Sequence, residues 1–160
     1  LAPGDFYLAT VHRPYNTDVP RNLTALVEAF GELPLPVVFP VHPRTRLSMA
    51  SMGIEPGPSV LMVEPVGYLD MLALESTART ILTDSGGVQK EAFFLEVPCV
   101  TLRTETEWIE TVDLGWNLVV GADRERIVQA VAHFETRPAP VASPFGDGTT
   151  SQQILRLLVD

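Results

Sequence analysis

The sequence predicts an α/β protein built on a doubly wound parallel sheet of six strands. Six short apolar runs alternate with segments whose apolar residues recur at helical spacing. Uninterrupted apolar runs are typical of parallel strands that helices cover on both faces. Because 160 residues suit one domain with its own core, we interpret residues 1–160 as a single Rossmann-like domain with its ligand site at the carboxyl ends of the strands.

The order of the elements follows from these patterns and from the turn residues between them. Strands are predicted at residues 6–11, 37–41, 60–63, 80–83, 97–102 and 116–120. Helices are predicted at residues 22–30, 43–52, 68–78, 88–96, 106–114 and 123–134. A Pro- and Gly-rich crossover at residues 137–148 leads into a C-terminal helix at 149–160. The alternation of strand and helix indicates βα units.

The composition argues against several classes of function. A formal charge of −9 and a pI near 4.7 do not suit a nucleic-acid surface, which requires clustered Lys and Arg. The single cysteine, Cys99, lies in an apolar run and is interpreted as a core residue. The sequence has no membrane-span or secretion-signal pattern and no metal-binding motif. We therefore expect a soluble, cytoplasmic protein without a metal.

The most informative stretch is residues 83–91, where a strand ends and a helix is predicted to begin near Val88. The adjacent Gly86 and Gly87 permit positive φ and leave no Cβ between the first helical amides and a ligand. Those amides suit a phosphate or diphosphate, and the carboxylate of Glu91, one turn further on, suits ribose hydroxyls. A plain turn with Ser85 as N-cap fits the same residues, so the spacing leaves both interpretations open.

Polar residues follow four of the predicted strands, whose carboxyl ends face one crevice in a sheet of this topology. His12 and Arg13 follow the first strand, His42 the second and Arg103 the fifth. Proximity to the glycine turn favours a ligand-binding role for His12, whereas His42 fits a structural or a ligand-binding role equally. The nearby carboxylates are interpreted as a charged loop and a solvated helix face: Glu105, Glu107 and Glu110.

Six segments carry a resemblance to a known family. They are T-x-H-R-x-x-N at 10–16, PVHP at 40–43, EPVGYL at 64–69, TDSGGVQKEA at 83–92, TEW at 106–108 and PFGDG at 144–148. Through these motifs, in order over nearly the whole chain, the sequence resembles the non-hydrolysing UDP-N-acetylglucosamine 2-epimerases. In that family two Rossmann-like domains form a glycosyltransferase-B-type fold with the active site between them, and this chain resembles the C-terminal domain alone.

The resemblance implies interconversion of UDP-N-acetylglucosamine and UDP-N-acetylmannosamine. UDP leaves by anti elimination and is added back to the 2-acetamidoglucal, without a cofactor or a metal. The resemblance also implies a homodimeric full-length enzyme whose N-terminal domain supplies the carboxylates that move the C2 proton. The C-terminal domain alone is therefore expected to bind UDP weakly and to be inactive.

The resemblance also assigns roles to individual residues. Residues 85–87 would hold the diphosphate, Glu91 the ribose, and His12 would be the catalytic residue in contact with the ligand. His42 corresponds to a residue near a regulatory nucleotide-sugar site in bacterial members. The complete set implied in UDP binding is His12, Arg13, Met71, Ser85, Gly86, Gly87 and Glu91.

Several positions depart from the family pattern and leave alternatives open. Pro14 and Tyr15 replace an Arg-Glu pair, and Trp108 stands where some members have an arginine that touches the nucleotide. Val66 and Met71 replace a Gln and a Phe that flank the uridine. An epimerase of a modified UDP-sugar, such as a diacetamido uronic acid, or a hydrolysing 2-epimerase fits the same motifs. A retaining glycosyltransferase of the same fold and a non-enzymatic nucleotide-sugar sensor are the alternatives from other classes.

Overall fold

The computed structural model describes residues 1–159 and contains six parallel strands in one sheet. They are β1 (Tyr7–Thr10), β2 (Val37–Pro40), β3 (Val60–Val63), β4 (Ile81–Thr83), β5 (Cys99–Thr101) and β6 (Asn117–Val119). Their order across the sheet is β3-β2-β1-β4-β5-β6. The chain winds outward from β1 in one direction and then from β4 in the other, which confirms the predicted doubly wound, Rossmann-like fold.

The two halves of the sheet meet between β1 and β4. Leu8 pairs with Ile81 and Thr10 pairs with Thr83, and the hydroxyls of the two threonines lie 2.5 Å apart. Because successive connections leave in opposite directions at this switch point, a crevice opens at the carboxyl edge of the two strands. The loop after β1 and the glycine turn after β4, which were both predicted to carry ligand-binding residues, therefore start next to each other.

Eight helices are defined within residues 1–159. They are α1 (Pro14–Thr17), α2 (Pro20–Glu32), α3 (Pro43–Met52), α4 (Tyr68–Thr77), α5 (Gly86–Phe94), α6 (Ile109–Asp113), α7 (Arg124–His133) and α8 (Thr150–Val159). Proline opens the first three, because its fixed φ and missing N–H suit the start of a helix. Two predictions were wrong here: residues 14–17 form a short helix instead of a loop, and α2 begins at Pro20 instead of residue 22.

Apolar side chains fill a core on each face of the sheet. On one face Phe30 and Phe39 pack edge to face, with ring centroids 5.7 Å apart, among residues of α2 and α7. On the other face Leu8 and Ile81 pack against residues of α4 and α5. Cys99 lies in this second core, and burial raises the pKa of its thiol to about 12. Its environment is that of a structural residue, as predicted.

The buried face of α4 differs from the prediction. Leu69 is 77% exposed and Ala73 is also exposed, although both were predicted on the apolar face. Glu75, in contrast, is fully buried. Because apolar residues occur around most of this helix, their spacing does not single out one face.

The C-terminal helix α8 forms as predicted, but its apolar face is not buried. Ile154, Leu155 and Leu158 are 52%, 62% and 78% exposed. The crossover before this helix is fastened by Phe145, whose ring packs edge to face on Phe93, with ring centroids 5.5 Å apart.

Within residues 1–159, no helix combines the length and the apolarity needed to cross a membrane.

We expect Leu82→Ala to lower the free energy of unfolding by about 2–5 kcal/mol, because Leu82 is completely buried in the central strand β4. The matched control is Leu47→Ala on α3, where the side chain is 72% exposed and the expected change is within about 0.5 kcal/mol. Urea denaturation followed by circular dichroism measures both. Equal losses in the two variants would contradict the central position of β4.

Candidate functional site

The glycine turn starts α5 directly after β4. Ser85 is the N-cap and its Oγ accepts a hydrogen bond from Val88 N at 3.5 Å. The helix begins at Gly86, two residues before the predicted start. The prediction of positive φ was also wrong, because Gly86 and Gly87 form the first residues of the helix and have φ below zero. The first amides of α5 still lack partners within the helix, as an anion site requires.

The need for glycine differs between the two positions. A Cβ on Gly86 would collide with Oε1 of Glu107, whereas a Cβ on Gly87 would meet only the Ser85 hydroxyl at an ordinary contact distance of 3.8 Å. A side chain at Gly86 would therefore require the half-exposed Glu107 side chain to move. Trp108, in the same loop, donates its indole N–H to the Gly86 carbonyl at 2.7 Å.

A buried carboxylate, that of Asp84, lies beneath this turn. It accepts hydrogen bonds from the backbone N–H of His12 at 3.1 Å, from the N–H of Arg13 at 3.0 Å and from Nδ2 of Asn16 at 3.0 Å. His12 Nδ1 lies 3.2 Å from Oδ1 of the same carboxylate. Burial by itself raises the pKa of Asp84, but these donors outweigh it and hold the pKa below its ordinary value.

His12 borders an apolar cavity between the ends of β1 and β2 and the start of α4. The imidazole ring of His42 lies 6.3 Å from that of His12, measured between centroids. His42 is also the N-cap of α3, with its Nδ1 accepting from Arg44 N at 3.2 Å. The remaining walls are formed mainly by Pro40, Pro65, Val66 and Met71.

A second cavity, lined by two arginines, lies on the other side of the loop after β1. Arg13 and Arg103 supply its positive charge and Glu105 a negative one, with Tyr15 beside them. Arg103 Nη1 bonds Glu107 Oε2 at 2.8 Å. Burial acts to raise the pKa of Glu107, but its backbone hydrogen bond and the positive charges of Arg103 and Arg13 hold it below its ordinary value. The interpretation of Glu107 as a solvated loop charge was therefore incomplete.

The loop after β5 is fastened to α5 by polar and aromatic contacts. Thr106 Oγ1 donates to the buried Gln89 Oε1 at 2.6 Å. The Lys90 ammonium lies 4.3 Å from the ring centroid of Trp108 and 4.6 Å from that of Phe145, within the range of a cation–π interaction. These contacts connect three segments: α5 with its glycine turn, the loop after β5 and the crossover before α8.

Two glutamates lie close together on α4 and α5. Glu91 is partly exposed on α5. Glu75 is fully buried, and neither of its carboxylate oxygens has a hydrogen-bond partner. Burial raises the pKa of Glu75 to about 7, and the negative charge of Glu91 adds to the shift. Nothing in the sequence indicated this pair, because Glu75 stands in a segment predicted as an amphipathic helix with an apolar inner face.

The structure brings the predicted site residues to one edge of the sheet. His12, His42 and Met71 line the apolar cavity, Arg13 lines the neighbouring cavity, and residues 85–87 and Glu91 belong to α5. Sequence reasoning gave no site role to Asp84, Asn16 or Glu75, and it interpreted Glu107 as a loop charge. A usable signal for the first two was an aspartate directly after a buried strand and an asparagine four residues after His12. Residues 1–159 contain no cluster of three His, Cys, Asp or Glu side chains suited to a metal.

Comparison with known proteins points to one family. A family profile described as UDP-N-acetylglucosamine 2-epimerase matches residues 1–159. The chain is 51% identical over 134 residues to the UDP-2,3-diacetamido-2,3-dideoxy-D-glucuronate 2-epimerase of Pseudomonas aeruginosa, covering 81% of this chain and 37% of that protein. It is 46% identical over 162 residues to a UDP-N-acetylglucosamine 2-epimerase homolog of Methanococcus maripaludis, covering 99% of this chain and 45% of the homolog.

The fold is also similar to that of a solved enzyme. The crystal structure of Methanocaldococcus jannaschii UDP-GlcNAc 2-epimerase in complex with UDP-GlcNAc and UDP superposes with a TM-score of 0.89 at 38% identity, covering 99% of this chain and 46% of that one. The chain therefore spans about half the length of the relatives that it matches.

We expect Glu75→Gln to remove a pH dependence of stability. The pKa of Glu75 is raised from 4.5 to about 7, so the folded state binds more protons than the unfolded state between these values. Stability from this group is complete below pH 4.5 and is lost as the pH rises through 7. At pH 8 the variant should be more stable than wild type by up to about 3 kcal/mol.

Thermal and urea unfolding at pH 5 and pH 8 measure this difference. Glu55→Gln, at an exposed loop position, is the matched control and should leave the pH dependence as it is in wild type. Parallel stability curves for wild type and Glu75→Gln would show that the buried carboxyl does not titrate in this range.

Proposed function

Because the chain belongs to the UDP-N-acetylglucosamine 2-epimerase family, we propose that it is the UDP-binding C-terminal half of a 2-epimerase. An N-terminal domain would complete a glycosyltransferase-B-type fold and close the crevice from the other side. The observation that carries the proposal is that Asp84, two residues before α5, holds the backbone N–H groups of His12 and Arg13 at the switch point of the sheet. This arrangement suits a nucleoside diphosphate.

The diphosphate belongs at the start of α5. Unpaired amides and the positive end of the helix dipole attract an anion there, and the Glu107 carboxylate, which lies against Gly86, must move aside for it. The absence of a side chain at Gly87 leaves these amides open, since little lies near its Cβ direction. His12 and Arg13 stand at the adjacent strand end, where their charges add to that of the helix.

The nucleoside belongs in the apolar cavity beside His12. Val66 and Met71, with two prolines, give flat apolar walls of the kind that hold a base. Glu91, one turn into α5, offers a carboxylate to the ribose hydroxyls. In this placement the uridine, ribose and diphosphate follow the edge of the sheet in order from the cavity to α5.

The chemistry proposed for the full-length enzyme is elimination of UDP from UDP-N-acetylglucosamine and re-addition with the opposite configuration at C2. Negative charge develops on the departing diphosphate, so fixed donors at that position lower the barrier. In this chain the donors are the α5 amides, His12 and Arg13. The groups that move the C2 proton would come from the N-terminal half, which also supplies a partner for the exposed apolar face of α8.

A modified sugar is the second candidate substrate. The 51% identical relative is a UDP-2,3-diacetamido-2,3-dideoxy-D-glucuronate 2-epimerase, and a uronate carries a carboxylate. The neighbouring cavity, lined by Arg13, Arg103 and Glu105, offers that group the guanidinium of Arg13, while Arg103 is paired with Glu107. Epimerisation at C2 is the same reaction for both sugars.

We expect Ser85→Ala and Glu91→Ala each to weaken UDP binding roughly tenfold, because each removes a polar contact to the bound nucleotide. Isothermal titration calorimetry with UDP measures the affinity, and Ser51→Ala and Glu55→Ala are matched controls at exposed positions. Unchanged affinity in both test variants would move the site away from the glycine turn. Titration of the two UDP-sugars against UDP shows which sugar adds affinity and so separates the two candidate substrates.

We expect the 160-residue chain to bind UDP-N-acetylglucosamine without epimerising it, because the proton-moving groups lie outside it in this proposal. The assay is proton NMR in D2O, in which epimerisation exchanges the hydrogen at C2 for deuterium. The Methanocaldococcus jannaschii enzyme is the positive control. Deuterium at C2 after incubation with this chain alone would show that the chain contains its own general base.

A further inference from the structure

The two histidines of the crevice have opposite hydrogen-bonding environments. His42 Nδ1 accepts from the backbone N–H of Arg44 at 3.2 Å. A nitrogen that accepts carries no proton, so the proton of neutral His42 is on Nε2. His12 Nδ1 instead lies 3.2 Å from the buried Asp84 carboxylate, which requires a nitrogen that bears a proton.

We propose that Asp84 is a positioning residue for His12, which holds Nδ1 in the protonated state and leaves Nε2 to face the departing diphosphate. The proposal deepens the function proposed above and rests on it for the identity of the anion. A carboxylate behind an imidazole fixes both its tautomer and its orientation and stabilises the imidazolium. Nε2 can then donate to the developing negative charge once the imidazole takes up a second proton, a form that the carboxylate behind it stabilises.

Asp84 is suited to this role because its carboxylate is held in one orientation. Its side chain has no exposed surface, and three donors besides the imidazole hold its oxygens: the N–H groups of His12 and Arg13 and the Asn16 amide. The charged and titratable groups around His12 are Asp84 from the end of β4, Arg13 in its own loop and His42 at the start of α3. Asp84 is the only carboxylate among them.

Replacement of Asp84 by asparagine should reverse the tautomer. Oδ2 accepts from Arg13 N and Asn16 Nδ2, each at 3.0 Å, and from His12 N at 3.2 Å. The amide oxygen therefore takes that position, and the His12 N–H keeps an acceptor there when its 3.1 Å bond to Oδ1 is lost. The NH2 group then occupies the Oδ1 position and donates to His12 Nδ1, which must lose its proton. Neutral His12 would carry its proton on Nε2, as His42 does.

Nitrogen-15 NMR of the labelled chain without ligand tests this directly, because imidazole shifts distinguish the tautomers. In wild type at pH 9 we expect His12 to be protonated on Nδ1 and His42 on Nε2, so that His42 serves as an internal reference. Asp84→Asn should convert His12 to the Nε2 form, whereas Asn16→Ala, which removes a different bond to the same carboxylate, should not. A wild-type His12 with its proton on Nε2 overturns the proposal, even if the Asp84 variant does not fold.

UDP calorimetry provides a second readout that a purely structural role would not move. Asp84→Asn should weaken UDP binding about tenfold at pH 6, and this loss should disappear or reverse at pH 9, because a neutral imidazole presents Nε2–H to the diphosphate in the variant but an unprotonated Nε2 in wild type. Asn16→Ala should change the affinity equally at the two pH values. An equal loss at both pH values in Asp84→Asn overturns the proposal. If wild type binds no UDP but the tautomers are as expected, the pairing stands and the proposed function fails.

Discussion

The candidate site depends on one buried carboxylate, that of Asp84. The loop after β1 leaves the sheet at His12, where its N–H groups no longer have a neighbouring strand to bond. Asp84 accepts two of these N–H groups, and Asn16 extends the network to the Leu102 carbonyl at 2.9 Å. Three strand ends that are distant in sequence are thus held at one charged group. The cost of burying that charge is offset because each oxygen has donors.

At this edge of the sheet, the position of a few cationic side chains matters more for ligand binding than the net charge of the chain. The chain carries 20 acidic residues against 11 basic ones, yet the start of α5 faces His12, Arg13 and Arg103 through a short stretch of crevice. Glu107 is the one carboxylate that approaches the first residue of α5, and Arg103 pairs with it at 2.8 Å. Bulk electrostatics therefore says little about ligand preference here, since exposed charges further than about 10 Å away are screened.

The fold could be predicted because parallel strands buried on both faces give short, continuous apolar runs, and polar residues marked the ends of four strands. The polar strand ends also indicated the crevice and most of the residues that line it. Three features escaped prediction for physical reasons. Residues 14–21 lack the apolar spacing of a helix although they contain α1 and the start of α2, the nearly uniform apolar character of α4 concealed which face Glu75 occupies, and the Asp84 network joins residues 68 to 72 positions apart. Contacts at such separations leave no local pattern.

The placement of Phe145 has a mechanical consequence. Its ring stands against Trp108, with centroids 5.8 Å apart, and Trp108 in turn bonds the Gly86 carbonyl. The long segment between α7 and α8 is therefore held by packing at Phe145, so that it consists of two shorter connections instead of one long one. Through the contacts of Phe145 with Trp108 and of Trp108 with Gly86, a displacement of the C-terminal helix α8 would be transmitted to the first residue of α5.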